Sequence, residues 1–215
     1  MTALLLKAVL AYLSGSVIGS LVVGRLRGGV DIRELGSGNA GGTNALRTQG
    51  KAFAFWVMLI DIGKGWWAAG PLAQARLPGL ASSPEWQAWS AAVCAVAVML
   101  GHIYPIWYGF RGGKGVATLL GTVLGAVPRL LLPVLTVWLL TAMLSGYVGL
   151  ASMLAAITLP VLAGRHGGHG PLLLFAAGGA LLIVFTHRGN IVRMRAGTEP
   201  RARRLWLFAP RARSS

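Results

Sequence analysis

The sequence predicts an all-α polytopic membrane protein with seven transmembrane helices and its polar motifs clustered at the cytoplasmic face. Three observations carry that expectation. Hydrophobic residues make up 55% of the 215-residue chain and charged residues only 12%, about half the charged share of a typical soluble domain, and the mean hydropathy is +0.65. Seven apolar stretches approach the roughly 20 residues that one membrane-crossing helix requires. Lysine and arginine are distributed unevenly among the segments between them.

Ala3 to Val23 has the length of a span. With Lys7 as its only charge and Gly24-Arg25 after it in place of a small-x-small cleavage site, it reads as a retained helix and not a signal peptide. Ala52 to Leu72 and Trp86 to Trp107 follow at full length. Gly115 to Val127 and Leu130 to Leu144 are short and separated by Pro128-Arg129, so they form either a tight hairpin of two short helices or one long kinked helix. Tyr147 to Ala163 and Pro171 to Thr186 complete the set. Trp66, Trp67, Trp86 and Trp89 near span ends fit an interfacial belt. Ser14-Gly15-Ser16, Gly19-Ser20 and Gly178-Gly179 offer small faces for close helix packing.

Positive residues collect on the cytoplasmic side of membrane proteins. With seven alternating spans, one face holds Arg25, Arg27, Arg33, Arg47 and Lys51, then Arg111 and Lys114, then the eight arginines of residues 187–215. The other face holds Lys7, Arg76, Arg129 and Arg165, while Lys64 lies inside a span. This bias puts the N-terminus outside and the C-terminus inside. It also favours the hairpin, because a single helix over 115–144 would split the basic loops between faces. Residues 1–190 then form one membrane domain and 191–215 a basic cytoplasmic tail. The apolar Leu205-Trp-Leu-Phe208 in that tail suits either anionic headgroups or a solvated, partly disordered end.

A formal net charge of +15 raises the question of nucleic acid, but no soluble domain remains to carry a groove-reading element, so no nucleic-acid partner is expected. Cys94 is the only cysteine, which excludes an internal disulfide and a thiolate metal site. His166 and His169 lack a neighbouring carboxylate or thiolate and read as an exposed loop in preference to a metal pair. Neither a metal nor a cofactor is expected.

Chemistry concentrates in three segments assigned to one face. The first is Leu35-Gly-Ser-Gly-Asn-Ala-Gly-Gly-Thr-Asn-Ala-Leu-Arg47. Its glycines permit positive φ and close approach, so that successive N–H groups form an anion-binding nest. Ser37, Asn39, Thr43 and Asn44 add neutral donors there, and Arg47 offers a two-pronged phosphate ligand. Gly36-x-Gly38-x-x-Gly41 also matches the dinucleotide fingerprint, but that motif needs a βαβ context and here helices flank it. A plain glycine-rich linker is the alternative.

The second segment, Gly101-His-Ile-Tyr-Pro-Ile-Trp-Tyr-Gly-Phe-Arg-Gly-Gly-Lys-Gly-Val-Ala-Thr118, sets Gly-Gly-Lys-Gly at a helix start, where free N–H groups and the Lys114 ammonium meet an anion. It is not a Walker loop, since Tyr108 and Gly115 stand where glycine and serine or threonine belong. The third, His187-Arg-Gly-Asn-Ile-Val-Arg193, brings His187 and Asn190 onto one helical face, or caps a span end with a snorkelling histidine. Asp61-Ile-Gly-Lys-Gly65 places an acid and a base inside a span at pairing distance. Such charges usually mark function, yet a structural pair is preferred because the phosphate-type motifs lie toward the span ends.

These segments, in order with Gly101-His102, Pro105, Tyr147-Val148 and Ser152, resemble the bacterial acyl-phosphate:glycerol-3-phosphate acyltransferase family (PlsY) over the whole chain. The resemblance implies a seven-span enzyme of the bacterial inner membrane that acylates the 1-hydroxyl of sn-glycerol 3-phosphate from acyl phosphate. The products would be lysophosphatidic acid and phosphate, in the first acylation of phospholipid synthesis. It assigns acyl phosphate to Ser37, Gly38, Asn39, Gly41, Thr43 and Asn44, and glycerol 3-phosphate to Arg47, Lys114, Ser152, His187 and Asn190. Ser37, Arg47, Lys114, His187 and Asn190 would carry catalysis. The implied partners are the two substrates, membrane lipids and a soluble enzyme that makes acyl phosphate. Gly42, Arg111 and Gly149 depart from the family's usual alanine, lysine and serine, and the last removes a hydroxyl contact.

Both substrates carry phosphate, and Arg47, Lys114 and the glycine loop offset their repulsion. Positioning two reactants lowers the barrier by several kcal/mol, so no strong base is obligatory. The hydroxyl proton goes to a substrate phosphate oxygen on the family reading, with His187 the fallback base. The His-x4-Asp motif of thioester-using acyltransferases is absent, since Trp107, Pro171, Leu174 and Val192 stand five residues after the four histidines. A transporter for an organic phosphate is the rival class, but transporters place broken helices and their site near the midplane.

Overall fold

A computed structural model describes residues 1–80, 83–165 and 167–209. Among these residues the α-helices, with no strand between them, are α1 (Thr2–Gly15), α2 (Gly19–Leu26), α3 (Gly42–Trp67), α4 (Pro84–Ile103), α5 (Val116–Ala126), α6 (Leu131–Ser145), α7 (Val148–Arg165), α8 (Gly170–Thr186) and α9 (Arg188–Arg195). Three helical stretches, Pro84–Tyr108, Pro128–Ser145 and Val148–Arg165, are long and apolar enough to cross a membrane alone. The number rises to five if the bent pairs α1 with α2 and α8 with α9 each count as one span.

The expected first span is broken. α1 and α2 meet at 45°, which leaves backbone groups without helical partners at the break, and buried groups of this kind must be satisfied. α3 supplies them. The Lys64 ammonium donates to the carbonyls of Gly15 (3.0 Å) and Val17 (2.7 Å), and Asp61 Oδ1 accepts the Gly19 N–H (3.2 Å). The two charges pair at 2.9 Å, with His102 Nδ1 2.9 Å from the ammonium. Two residues read from sequence as a structural pair thus cap the break between two helices.

The short apolar segments 115–127 and 130–144 are two helices, separated by a 3₁₀ turn at Pro128–Leu130. They are not a packed hairpin, because α5 lies chiefly along α3 while α6 lies along α7. α5 has 11 residues and is about 16 Å long, short of the roughly 30 Å hydrocarbon core. α3 kinks at Gly50 and ends in a π-helical turn, Ala68–Leu72.

Glycine governs the tightest helix contacts. A Cβ at Gly15 would strike the Val98 carbonyl, one at Gly101 the Tyr12 carbonyl, and one at Gly121 the Ile62 carbonyl, so backbones touch between α1 and α4 and between α3 and α5. The largest core cluster joins Met99, Leu119, Val123, Leu159, Phe175 and Ile183 from α4, α5, α7 and α8. Large apolar side chains such as Leu132, Leu140, Val161 and Leu181 face outward, as lipid contact requires. Lys7 is buried, donating to the Ala73 carbonyl (2.7 Å) and Gln87 (3.2 Å), so it is not a loop charge. His166 lies outside the described residues, as do 210–215 of the tail.

Candidate active site

A cavity of roughly 700 Å³ opens where the three polar segments converge, within the size range of small-molecule sites. From the first loop, Ser37, Asn39, Gly41, Thr43, Asn44 and Arg47 line it. Lys114, Ser152, His187 and Asn190 line it from the remaining elements. Gly38 alone among the sequence-assigned residues does not, since its N–H closes a turn onto the Leu35 carbonyl (3.1 Å).

Within the first loop the expected nest is altered by the side chains. Asn44 is buried and its amide is fully committed: Nδ2 donates to the carbonyls of Ile32, Leu35 and Asn39, and Oδ1 accepts the Ser37 N–H (3.0 Å). Asn39 Oδ1 accepts the Gly41 N–H (2.9 Å). Asn44 therefore staples the loop and is not a free donor to an anion. What remains for a ligand is the N-terminus of α3, where the first N–H groups of the helix have no intrahelical acceptor, together with the hydroxyls of Ser37 and Thr43. Arg33 locks this loop to the second by donating to the carbonyls of Tyr108 (3.2 Å) and Arg111 (2.9 Å), and its pairing with Asp31 at 2.6 Å holds that carboxyl below its ordinary range.

In the second loop, Gly113 has no room for a Cβ, which would fall on the His102 ring. Gly115 has φ +86°, the left-handed conformation that glycine adopts without penalty. The turn thereby brings Lys114 beside the start of α5. Thr186 Oγ1 donates to the Lys114 carbonyl (3.0 Å), tying the turn to the end of α8. The Lys114 ammonium donates to Asn190 Oδ1. Burial, then the nearby Arg193, depresses its pKa to about 8, partly offset by Glu199. Arg111 is exposed and does not line the cavity.

The His187 ring is fixed by Nδ1, 2.8 Å from the Ile183 carbonyl. A carbonyl only accepts, so Nδ1 carries the proton and the neutral ring presents its Nε2 lone pair elsewhere. Ser152 donates to Val148 (2.9 Å) and accepts from Trp138 Nε1 (3.2 Å), so its proton is already used within α7. Four lining residues, in two pairs, were not assigned to the site from the sequence. Asp61 and His102 reach the cavity from the structural cluster, with Asp61 Oδ2 lacking a partner among the described residues. Arg193 and Glu199 line it from α9 and the tail. An isolated acid in a basic tail was the available signal.

The wall changes character away from these groups. Leu119, Leu120 and Val123 of α5, Val134, Leu135 and Trp138 of α6, and Ala155 and Ala156 of α7 make it apolar. Fold and site together define a helical membrane protein whose cavity joins a cation-bearing polar part to an apolar arm.

Comparison with known proteins gives the family. The glycerol-3-phosphate acyltransferase family model matches residues 5–197, and the chain belongs to that family. A glycerol-3-phosphate acyltransferase of Synechococcus sp. is 41% identical, with 95% of this chain and 98% of that protein covered. One from Bordetella pertussis is 43% identical over 90% and 89% of the two chains. Crystal structures of PlsY, an integral membrane glycerol 3-phosphate acyltransferase, superpose with TM-scores of 0.81 in its glycerol 3-phosphate form and 0.80 in its lysophosphatidic acid form. They are 35% and 34% identical to this chain, cover 94% of it in each case, and are themselves covered to 96% and 95%.

Proposed function

We propose that this chain, an acyltransferase acting on glycerol 3-phosphate in phospholipid synthesis, takes its acyl group from acyl phosphate. The observation that carries the reading is one cavity in which Arg47, Lys114, His187 and Asn190 meet an apolar arm running two turns along α5. A fatty acyl phosphate needs both halves. Its phosphate lies at the N-terminus of α3 with Ser37, Asn39 and Thr43, and its chain lies against α5 and α6. The phosphate of glycerol 3-phosphate takes Arg47 and Lys114, with Ser152, His187 and Asn190 around its glycerol part.

Oxygen O1 of glycerol 3-phosphate attacks the acyl carbonyl carbon, a new C–O bond forms, and the bond from that carbon to the phosphate oxygen breaks. The hydroxyl proton passes to a phosphate oxygen, so lysophosphatidic acid and inorganic phosphate leave. The chain's contribution is positioning and charge compensation, because acyl phosphate already has a good leaving group.

The charge distribution supports seven passes of the bacterial inner membrane, the N-terminus outside and the site facing the cytoplasm, where a soluble enzyme supplies acyl phosphate. Residues 1–190 form the membrane domain and 191–215 a basic tail, whose first part completes the cavity wall with Arg193 and Glu199. Purified protein given both substrates should release phosphate and form lysophosphatidic acid without any gradient. Comparable turnover with acyl-CoA would refute the donor assignment, and uptake into vesicles without product would establish a transporter. Cysteines placed at Thr48 and Ser83 test the orientation: an impermeant reagent applied to spheroplasts should label only the second.

A further inference from the structure

The segment after α9 folds back and brings a carboxylate to the cavity. The N–H groups of Thr198 and Glu199 both donate to the Arg193 carbonyl (2.9 and 3.2 Å), which turns the chain sharply. Beyond it, Ala202 N–H donates to the Gly146 carbonyl (2.8 Å) and Leu207 N–H to the Met143 carbonyl (3.0 Å). Arg201 stacks on Tyr147 and Trp206, its guanidinium carbon 4.7 and 4.1 Å from the ring centres. The turn is thus anchored on α9 and on the junction of α6 with α7, and the Glu199 side chain is only 7% exposed.

Both Glu199 oxygens are engaged. Oε2 accepts from Arg193 Nε (2.7 Å) and Oε1 from Asn190 Nδ2 (2.6 Å), while Asn190 Oδ1 accepts from Lys114. An ammonium only donates and a carboxylate only accepts, so these two neighbours fix the amide in one orientation. Across from the amide stands Gly149, where a Cβ would lie 2.8 Å from Asn190 Nδ2. That wall is bare backbone and offers no side-chain acceptor, which leaves the hold on Nδ2 to Glu199. A carboxylate that mimicked substrate phosphate would instead sit on Lys114 or Arg47, and Glu199 hydrogen-bonds to neither among the described residues.

We infer that Glu199 is a positioning residue for acyl transfer: acting through Asn190, it holds the Lys114 ammonium where the phosphate of glycerol 3-phosphate is received. This rests on the proposed function above, in which Lys114 and Asn190 take that substrate. The charges facing Lys114 agree with it, since Arg193 and Arg47 lower its proton affinity, Glu199 raises it, and His187 feels Lys114 in turn. Glu199 therefore keeps the ammonium protonated as well as placed.

The test uses full-length protein and initial rates against both substrates between pH 6.5 and 9.5, a range of roughly three units about the Lys114 titration. Glu199→Ala should raise KM for glycerol 3-phosphate about tenfold, leave KM for acyl phosphate within about twofold, and shift the alkaline loss of activity to lower pH. Glu199→Gln keeps an acceptor for Asn190 without the charge. It should bring KM back to within about threefold of the parent while the alkaline limb stays shifted. In an Asn190→Ala background at pH 6.5, where Lys114 is protonated throughout, Glu199→Ala should add nothing to KM, as expected for residues acting in series, while the shift of the alkaline limb persists.

A lower KM for glycerol 3-phosphate in Glu199→Ala would mean that the carboxylate competes with substrate, and an unchanged KM or additive losses would sever it from Asn190. Each overturns the inference. Should Glu199→Ala fail by elution profile to fold, the Glu199→Gln pH profile decides alone, an unshifted limb refuting the inference. A parent enzyme that makes no lysophosphatidic acid would refute the functional reading and this inference with it, whereas the outcomes above, seen with an active parent, refute the inference alone.

Discussion

Replacing Lys114 by methionine keeps the side chain unbranched and nearly as long and removes the charge that the Gly-Gly-Lys-Gly turn presents to the cavity. Its ammonium is partly desolvated and donates to Asn190 Oδ1, so a bound phosphate would receive a charge-assisted hydrogen bond in a poorly screened setting. Losing such a bond costs about 1.5–3 kcal/mol, and at about 1.4 kcal/mol per tenfold in rate kcat/KM should fall by about one to two orders of magnitude. Arg111→Met is the matched control three residues away. That side chain is exposed and outside the cavity, while its backbone carbonyl accepts from Arg33 and its N–H donates to the Tyr108 carbonyl. Its loss should stay within about threefold. Initial rates over both substrate concentrations, with elution profiles as the folding check, measure the difference. Equal losses, or a larger one at Arg111, would put the phosphate site on the wrong side of the turn.

The remaining expectations concern protons and stability. Lys114, depressed to about 8 by burial, is charged below that pH and neutral above it, so kcat/KM for glycerol 3-phosphate should be flat up to about pH 8 and fall at higher pH as the ammonium is lost. Unfolding is not the cause, since a lysine whose folded pKa lies below the unfolded 10.5 makes the unfolded state bind more protons between those values, and its contribution to stability rises with pH there. His187→Asn should lower kcat by less than about tenfold while raising KM for glycerol 3-phosphate, whereas a loss of about 10²–10⁴ in kcat at constant KM would make Nε2 the general base. Asp61→Asn leaves the Lys64 ammonium buried without its counter-charge, which costs about 3–5 kcal/mol when such pairs are broken. Its thermal midpoint in detergent should drop and recover in part with Lys64→Met, and an unchanged midpoint would remove the pair from its capping role.

The chain by itself determined the solvent, the helical class and the residue types gathered at the candidate site. Apolar stretches of span length, the glycine-rich loops, Arg47, Lys114, His187 and Asn190 are local facts of composition and spacing, and they point to the proposed anion site in a bilayer protein without reference to contacts. Most of the assigned residues do line one cavity. Tertiary structure decided how each side chain is used, because that depends on neighbours distant in sequence. Asn44 looked like a donor to phosphate and is consumed by the carbonyls of Ile32, Leu35 and Asn39. Asp61 and Lys64 became intelligible only when α3 came to lie against the break between α1 and α2. The segment 115–144 has the same apolar pattern as a hairpin, yet α5 and α6 part to different neighbours, since hydrophobicity states that a surface is buried and not against what. Glu199, an isolated acid in a basic tail, gained its place only when the chain turned back at Arg193 and set that carboxylate beside Asn190.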